Sequence, residues 1–306
     1  MGFQRHKWRT SKGLDLREMC YEDQAYMRHT PQLNDWSMKG FDMFWRGQEY
    51  AIEYTEREWR SLFRRKVYDN LVWAFTMPYV PKEKSLILDA GGGSGRWTLD
   101  LTYLGHHVVL LDFSRPMLYL AKERIGRLLK TGEADLVLAD IHHLPFPPET
   151  FDFVLVEADP FTQGGTKDEV STALRQLHLV LKFNGFLVGS VSGRYAIAVT
   201  EIQNAKNIED VRRAIQILKT GEYLAVSNDP TSLLFLFTPS ELKESLRKMG
   251  FHVDKVESTI TLSHFLPKDL ERSDEVLELL LELERFIREM PEALPYSRRM
   301  HFAARK

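Results

Sequence analysis

The sequence predicts an α/β fold: a doubly wound, seven-stranded, mostly parallel sheet with an N-terminal helical cap and a helical insertion after the fifth strand. Three observations predict it. Short apolar runs recur without polar alternation, as strands buried on both faces of a parallel sheet require. Helix-length segments with apolar residues three and four apart separate them. One of the runs passes directly into a glycine-rich turn, which is where an α/β sheet meets its ligand.

The strands expected in order are Leu86 to Leu88, Val108 to Leu111, Leu136 to Ala139, Phe153 to Val156 and Phe186 to Val191. Between them, helical spacing links Trp97, Leu101 and Leu104, then Met117, Ala121, Ile125 and Leu128, then Val170, Leu174, Leu177 and Leu181. Thr238-Pro-Ser-Glu241 reads as a capping box with proline at the first helical position, opening a helix that ends at Gly250. His252 to Val256 and Met300 to Ala304 complete the seven strands, with an acidic helix between them. Two regions stand outside the alternation. Residues 1–80 form the N-terminal helical cap region, with helical periodicity from Glu53 to Ala74 and a stop at Pro78 and Pro81. Residues 195–237 form an insertion within the main domain, 81–306, and are expected to be helical up to Lys219.

Composition narrows the function classes. Hydrophobic residues at 43% and charged residues at 27% are globular values, which disfavours disorder and coiled-coil arrays. Lys+Arg 41 against Asp+Glu 43 gives a net charge of -2 and no overall pull toward nucleic acid or an anionic membrane. The single cysteine, Cys20, cannot form an internal disulfide, which fits a reducing, cytoplasmic setting. No apolar stretch is long enough to span a membrane, and Met1 to Lys12 is basic without a signal peptide's apolar core. Histidine pairs occur at His106–His107 and His142–His143, without the His-Glu-x-x-His spacing of a zinc site, so no metal is expected.

The strongest signal is Leu86-Ile-Leu-Asp-Ala-Gly-Gly-Gly-Ser-Gly95. Its glycines allow a tight turn and close ligand approach, and the helix start behind them offers free N–H groups. A dinucleotide fingerprint would need glycine where Arg96 stands, and the Gly-Lys-Ser/Thr of a P-loop is absent. Asp89 would repel a pyrophosphate but suits a ligand carrying an ammonium group. These residues resemble motif I of the class I S-adenosylmethionine-dependent methyltransferases, with Asp89, Gly91, Gly93 and Gly95 on its acidic-x-Gly-x-Gly-x-Gly pattern. The resemblance extends over roughly residues 80 to 260 and the closing strand at 299 to 305.

What it implies can be placed residue by residue. Asp112, 23 positions after Asp89, would accept hydrogen bonds from both ribose hydroxyls. Phe113 and Met117 would lie near the adenine, in Asp112-Phe-Ser-Arg-Pro-Met-Leu118, and Asp140 and Ile141 match the family's adenine-contacting segment. Leu144-Pro-Phe-Pro-Pro-Glu-Thr-Phe-Asp152 is similar to the lead into strand four in the small-molecule and quinone-methylating branches. The usual Lys-Pro-Gly-Gly before strand five is here Lys182-Phe-Asn-Gly185.

The acceptor should sit beyond strand four, which makes Glu157 and Asp159 in Val156-Glu-Ala-Asp-Pro-Phe-Thr162 candidates, Glu157 at the cofactor's edge and for catalysis, Asp159 as base or acceptor anchor. His142 is a further catalytic candidate, with Tyr195, His264 and His29 behind it. Together these point to an enzyme that transfers a methyl group in line from S-adenosylmethionine to a small or medium-sized organic acceptor. The N-terminal helices and the insertion, rich in residues such as Trp36, Phe41, Phe44, Trp45, Trp59, Trp73, Ile197, Leu233 and Phe237, are expected to enclose that acceptor. The alternatives are an RNA or tRNA methyltransferase using the basic cluster Arg57, Arg60, Arg64, Arg65 and Lys66, or a non-catalytic cofactor-binding regulator.

Overall fold

A computed structural model describes residues 63–225, 232–263, 273–288 and 290–306. Helix α1 (Phe63–Thr76) leads into strand β1 (Leu86–Ala90). There follow α2 (Arg96–Tyr103), β2 (His107–Asp112), α3 (Arg115–Thr131), β3 (Ala134–Leu138), β4 (Phe151–Val156), α4 (Lys167–Val180) and β5 (Leu181–Ser192). The insertion comprises α5 (Arg194–Gln203), α6 (Ile208–Thr220), β6 (Glu222–Leu224) and β7 (Leu233–Phe235). The chain then forms α7 (Pro239–Lys248), β8 (His252–Ile260), α8 (Asp274–Arg288) and β9 (Arg299–Arg305).

The main sheet has seven strands in the order β3-β2-β1-β4-β5-β9-β8, and β9 runs antiparallel between β5 and β8. Order reverses between β1 and β4, leaving a crevice above their carboxyl ends, where ligands of such sheets bind. Every residue of β1 and β2 is buried, as expected of strands covered on both faces. One face packs on α4 and α7 through Phe151, Leu174, Leu177, Leu242 and Leu246. The other packs on α1 and α2 through Val72, Phe75, Trp97 and Leu101. Burying each such side chain contributes about 1.5–3 kcal/mol.

Local chemistry sets the helix ends. Ser114 caps α3 by accepting the Met117 N–H at 3.3 Å, with Pro116 in the first turn. Reciprocal capping boxes open α4 (Thr166, Glu169) and α7 (Thr238, Glu241).

Four sequence expectations shift. Leu181 is the first residue of β5 rather than the last of a helix, and Leu104 lies just past α2, exposed. The insertion breaks at Asn204 and Asn207 into two helices and then forms the β6–β7 hairpin, whose three-residue strands are too short to show a period. Trp73 belongs to the packed layer on the sheet face. Its ring meets Trp97 edge-on at 5.3 Å, and its N–H donates to Asp100 at 3.1 Å. Trp36, Phe41, Phe44, Trp45, Trp59, His29, His264 and the arginines at 57 and 60 lie outside the described residues.

Candidate active site

The glycine turn closes over the crevice by backbone bonding. The N–H groups of Gly91 and Gly92 both donate to the Leu111 carbonyl at the end of β2, at 2.7 and 3.1 Å. Gly91 has φ +77°, and a Cβ there would meet the Pro160 ring at 2.5 Å, so only glycine fits between the turn and the loop after β4. Gly93, at φ +55°, has open space on its Cβ side and lines a cleft of about 580 Å³, counted out to its mouth. Gly95 caps α2 at φ +82° and faces Leu110 and Ile125, so it packs helix on strand.

One wall of the cleft is Asp112, Phe113, Met117, Ala139 and Ile141; the opposite wall is Glu157, Ala158, Pro160 and Gln163. Asp112 is held on both oxygens, Oδ2 accepting the Gly93 N–H at 2.9 Å and Oδ1 the Ser114 N–H at 2.8 Å. Each oxygen keeps a second lone pair for a ligand. Burial pushes Asp112 up to about 6 despite the backbone N–H groups of Ser114, Gly93 and Phe113. Asp89 is buried beneath the turn, with its Oδ2 accepting the Thr98 hydroxyl at 2.6 Å. Burial raises it to about 7, the Thr98 bond opposes that, and the nearby Asp112 and Glu157 charges add to it. Asp140 accepts the backbone and ring N–H of His142, at 2.9 and 2.7 Å. Burial alone would raise Asp140, but His142 overrides it and holds the carboxyl below its ordinary value.

Beyond β4 the carboxylates are paired. Glu157 Oε2 accepts the Tyr68 hydroxyl at 2.8 Å and the Ser190 hydroxyl at 2.7 Å, and His301 Nε2 lies 2.6 Å from Oε1. Burial pushes Glu157 up, yet His301, Ser190 and Tyr68 together hold it below the usual carboxylate range. Asp159, in the left-handed region at φ +71°, accepts the Ser192 N–H at 2.6 Å, the Ser192 hydroxyl at 2.8 Å and the Arg299 guanidinium. Tyr195 stacks toward Tyr296 with ring centroids 6.2 Å apart.

The structure thus brings Gly91, Gly93, Asp112, Phe113, Met117, Ile141 and Glu157 to one cleft, with Asp89 beneath it. Asp140, His142 and Asp159 are not among the cleft's lining. Sequence reasoning missed Tyr68, Ser190 and His301; the one signal was a serine and a histidine within otherwise apolar strands.

The residue set fits S-adenosylmethionine: a glycine face open for close approach, a fixed carboxylate with free lone pairs, an apolar wall beside it, and a buried acid beneath the turn. Residues 87–185 match the methyltransferase domain family. The chain carries a class I S-adenosylmethionine-dependent methyltransferase domain. It is 33% identical over 105 residues to a ubiquinone/menaquinone biosynthesis C-methyltransferase of Pasteurella multocida, covering 33% of this chain and 38% of that one. It is 37% identical over 103 residues to a demethylmenaquinone methyltransferase of Thermobifida fusca, covering 34% and 42%. These matches span about two-fifths of the relatives' length. A solved S-adenosylmethionine-dependent methyltransferase from Mesorhizobium loti shares the fold, with a TM-score of 0.53, 20% identity and coverage of 77% of this chain and 98% of that one. Among the described residues no helix of this chain is long and apolar enough to cross a membrane.

Proposed function

We propose that the protein methylates a small or medium-sized organic acceptor bound beyond Glu157, Ala158 and Pro160. The observation that carries this is the Asp112 carboxylate, clamped by Gly93 and Ser114 at the edge of an open glycine face. S-adenosylmethionine supplies a methyl group on a positively charged sulfur, already activated for in-line attack.

In this reading Asp112 accepts the ribose hydroxyls. Phe113, Met117 and Ile141 form the apolar wall for the adenine, with Asp140 at its edge. Gly91 and Gly93 let the backbone approach, and Gly95 seats α2 behind them. Asp89 sets negative potential toward the cationic end of the ligand, and Glu157, paired with His301, lines its edge. The post-β4 loop, pinned through Asp159 to Ser192 and Arg299, keeps the acceptor in line and limits water. His142, committed to Asp140, orients the cofactor edge. Gln163 pairs with Leu234 of β7, so the insertion hairpin adjoins the cleft on the acceptor side. The two relatives, one named for ubiquinone/menaquinone biosynthesis and one as a demethylmenaquinone methyltransferase, support an organic acceptor.

Calorimetry tests the cofactor. S-adenosylhomocysteine should bind saturably and raise the melting temperature by mass action, and NAD should do neither. Saturable NAD binding without a response to the sulfur compound would sink the assignment. For the acceptor, labelled methyl transfer to a panel of phenols and quinols should exceed transfer to bulk tRNA. Tight tRNA binding that falls steeply between about 50 and 200 mM salt and supports methylation would move the reading to RNA.

A further inference from the structure

The acceptor's chemistry can be narrowed by charge accounting at the edge beyond β4. Glu157 is matched by His301, and Asp159 by Arg299. Glu201, on α5, accepts the Tyr223 hydroxyl at 3.3 Å and lies 3.8 Å from Arg213. Arg298 breaks the pattern. Its Nη1 is cut off from water and has no hydrogen-bond partner. Its backbone is fixed on both sides, the N–H donating to the Ile260 carbonyl at 2.6 Å and the carbonyl accepting the Gly193 N–H at 3.3 Å. The residue is therefore pinned between the end of β8 and the start of α5.

Its charged neighbours are Arg299, which disfavours its charge, and Asp159 and Glu201, which favour it. Burial outweighs them and brings the guanidinium down to about 10. It still carries its charge at neutral pH. A half-buried guanidinium with one enclosed, unbonded nitrogen carries a cost, and the guanidinium fork matches a carboxylate or phosphate with two parallel bonds.

The place of Arg298 gives this cost a use. Ser192, next to Gly193, gives its N–H and hydroxyl to Asp159, and the residues flanking Asp159, Ala158 and Pro160, line the cleft. Arg298 is thus joined to the edge of the cofactor cleft through two hydrogen bonds, Gly193 to its carbonyl and Ser192 to Asp159, on the side taken by the insertion. We propose that Arg298 anchors an anionic group of the methyl acceptor, so that the substrate is an organic acid, either a carboxylate or a phosphate ester. This rests on the methyltransferase reading above and adds the substrate class to it.

The test is calorimetry on protein saturated with S-adenosylhomocysteine, with benzoate, phenyl phosphate and the neutral isostere benzamide as probes. At least one anion should bind, tenfold or more tightly than benzamide, and the preferred anion tells carboxylate from phosphate. Arg298→Gln should lose that binding by at least tenfold while melting no lower than the parent. Arg298→Lys, which keeps the charge but not the fork, should weaken it severalfold, and it carries the test if the Gln variant does not fold. Binding by neither anion, equal binding of benzamide, or affinities unchanged in the variants would overturn the proposal. Failure of S-adenosylhomocysteine itself to bind would instead sink the cofactor reading, and the same anion titrations on unliganded protein would still decide Arg298.

Discussion

The ends of β1 and β2 and the ends of β4 and β5 lie on the same sheet edge, yet they treat their carboxylates in opposite ways. Asp89 and Asp112 are buried with hydroxyl and backbone donors only, and both are pushed up, to about 7 and about 6. Glu157 is equally buried but faces His301, and it is held down. Asp159 likewise has Arg299. The first pair has its counter-charge left for a ligand to bring, whereas the second pair is completed by the chain itself. One side is a receptor and the other a wall, and the difference comes from which strand supplies the partners.

The largest test of that contrast is to take a partner from the wall. Arg299→Met leaves Asp159 buried without its cation and should destabilise the protein by about 3 kcal/mol in denaturant titrations. S-adenosylhomocysteine affinity should change less than threefold in the folded variant. A large affinity loss at unchanged stability would put Asp159 in the receptor half instead. Asp112→Ala should do the reverse. Cofactor affinity should fall at least tenfold, since bonds to a charged acceptor are worth about 1.5–3 kcal/mol each, while the fold survives. Unchanged affinity would mean that Asp112 only holds the Gly93 and Ser114 turns.

Proton linkage separates the two halves without mutation. Asp89 and Asp112 bind protons more readily folded than unfolded, so the stability they contribute is present at acid pH and is lost as pH rises from about 3.8 toward 6 and 7. Glu157 has the opposite sign, contributing above the ordinary carboxylate range and losing it as pH falls through its lowered value. A cationic cofactor prefers the ionised form of the first pair. Its affinity should therefore be about tenfold or more tighter at pH 8 than at pH 5.5, and a flat profile would contradict the raised acids. The smallest expected effect is that of Thr98→Val. Losing the 2.6 Å bond should raise Asp89 further and weaken cofactor binding at pH 7 by a few-fold, about 0.5–1.5 kcal/mol, with little change at pH 9.

The receptor half was legible in the sequence because its determinants are local. Strand, glycine turn, helix and the acid ending the next strand follow one another within residues 86 to 117, and periodicity with turn chemistry is enough to order them. The wall was not legible, because its pairs come from register. Ser190 stands opposite His301 only through the antiparallel pairing of β5 with β9, and Tyr68 reaches Glu157 from a helix 89 positions earlier. Asp159 was readable as a residue of interest but not as a saturated one, since Ser192 and Arg299 are joined to it by that same pairing. Trp73 illustrates a different loss: a helical period marks an apolar face without saying whether it lies on the sheet or over its edge.

The antiparallel strand also sets an order of assembly in time. A ribosome making this chain completes the glycine turn and Asp112 early, but the residues that neutralise Glu157 and Asp159 belong to β9, made roughly a hundred residues after β5. At about 5–20 residues per second, the 140 positions from Asp159 to Arg299 mean that a nascent chain would spend roughly seven to thirty seconds with the receptor sequence complete and two acids awaiting their basic partners. During that interval solvent is their only source of counter-charge. The strand that closes the sheet is therefore also the step that completes the acceptor side, so a chain stalled before residue 298 would hold the parts for the cofactor and none of the positive charge proposed to select the substrate.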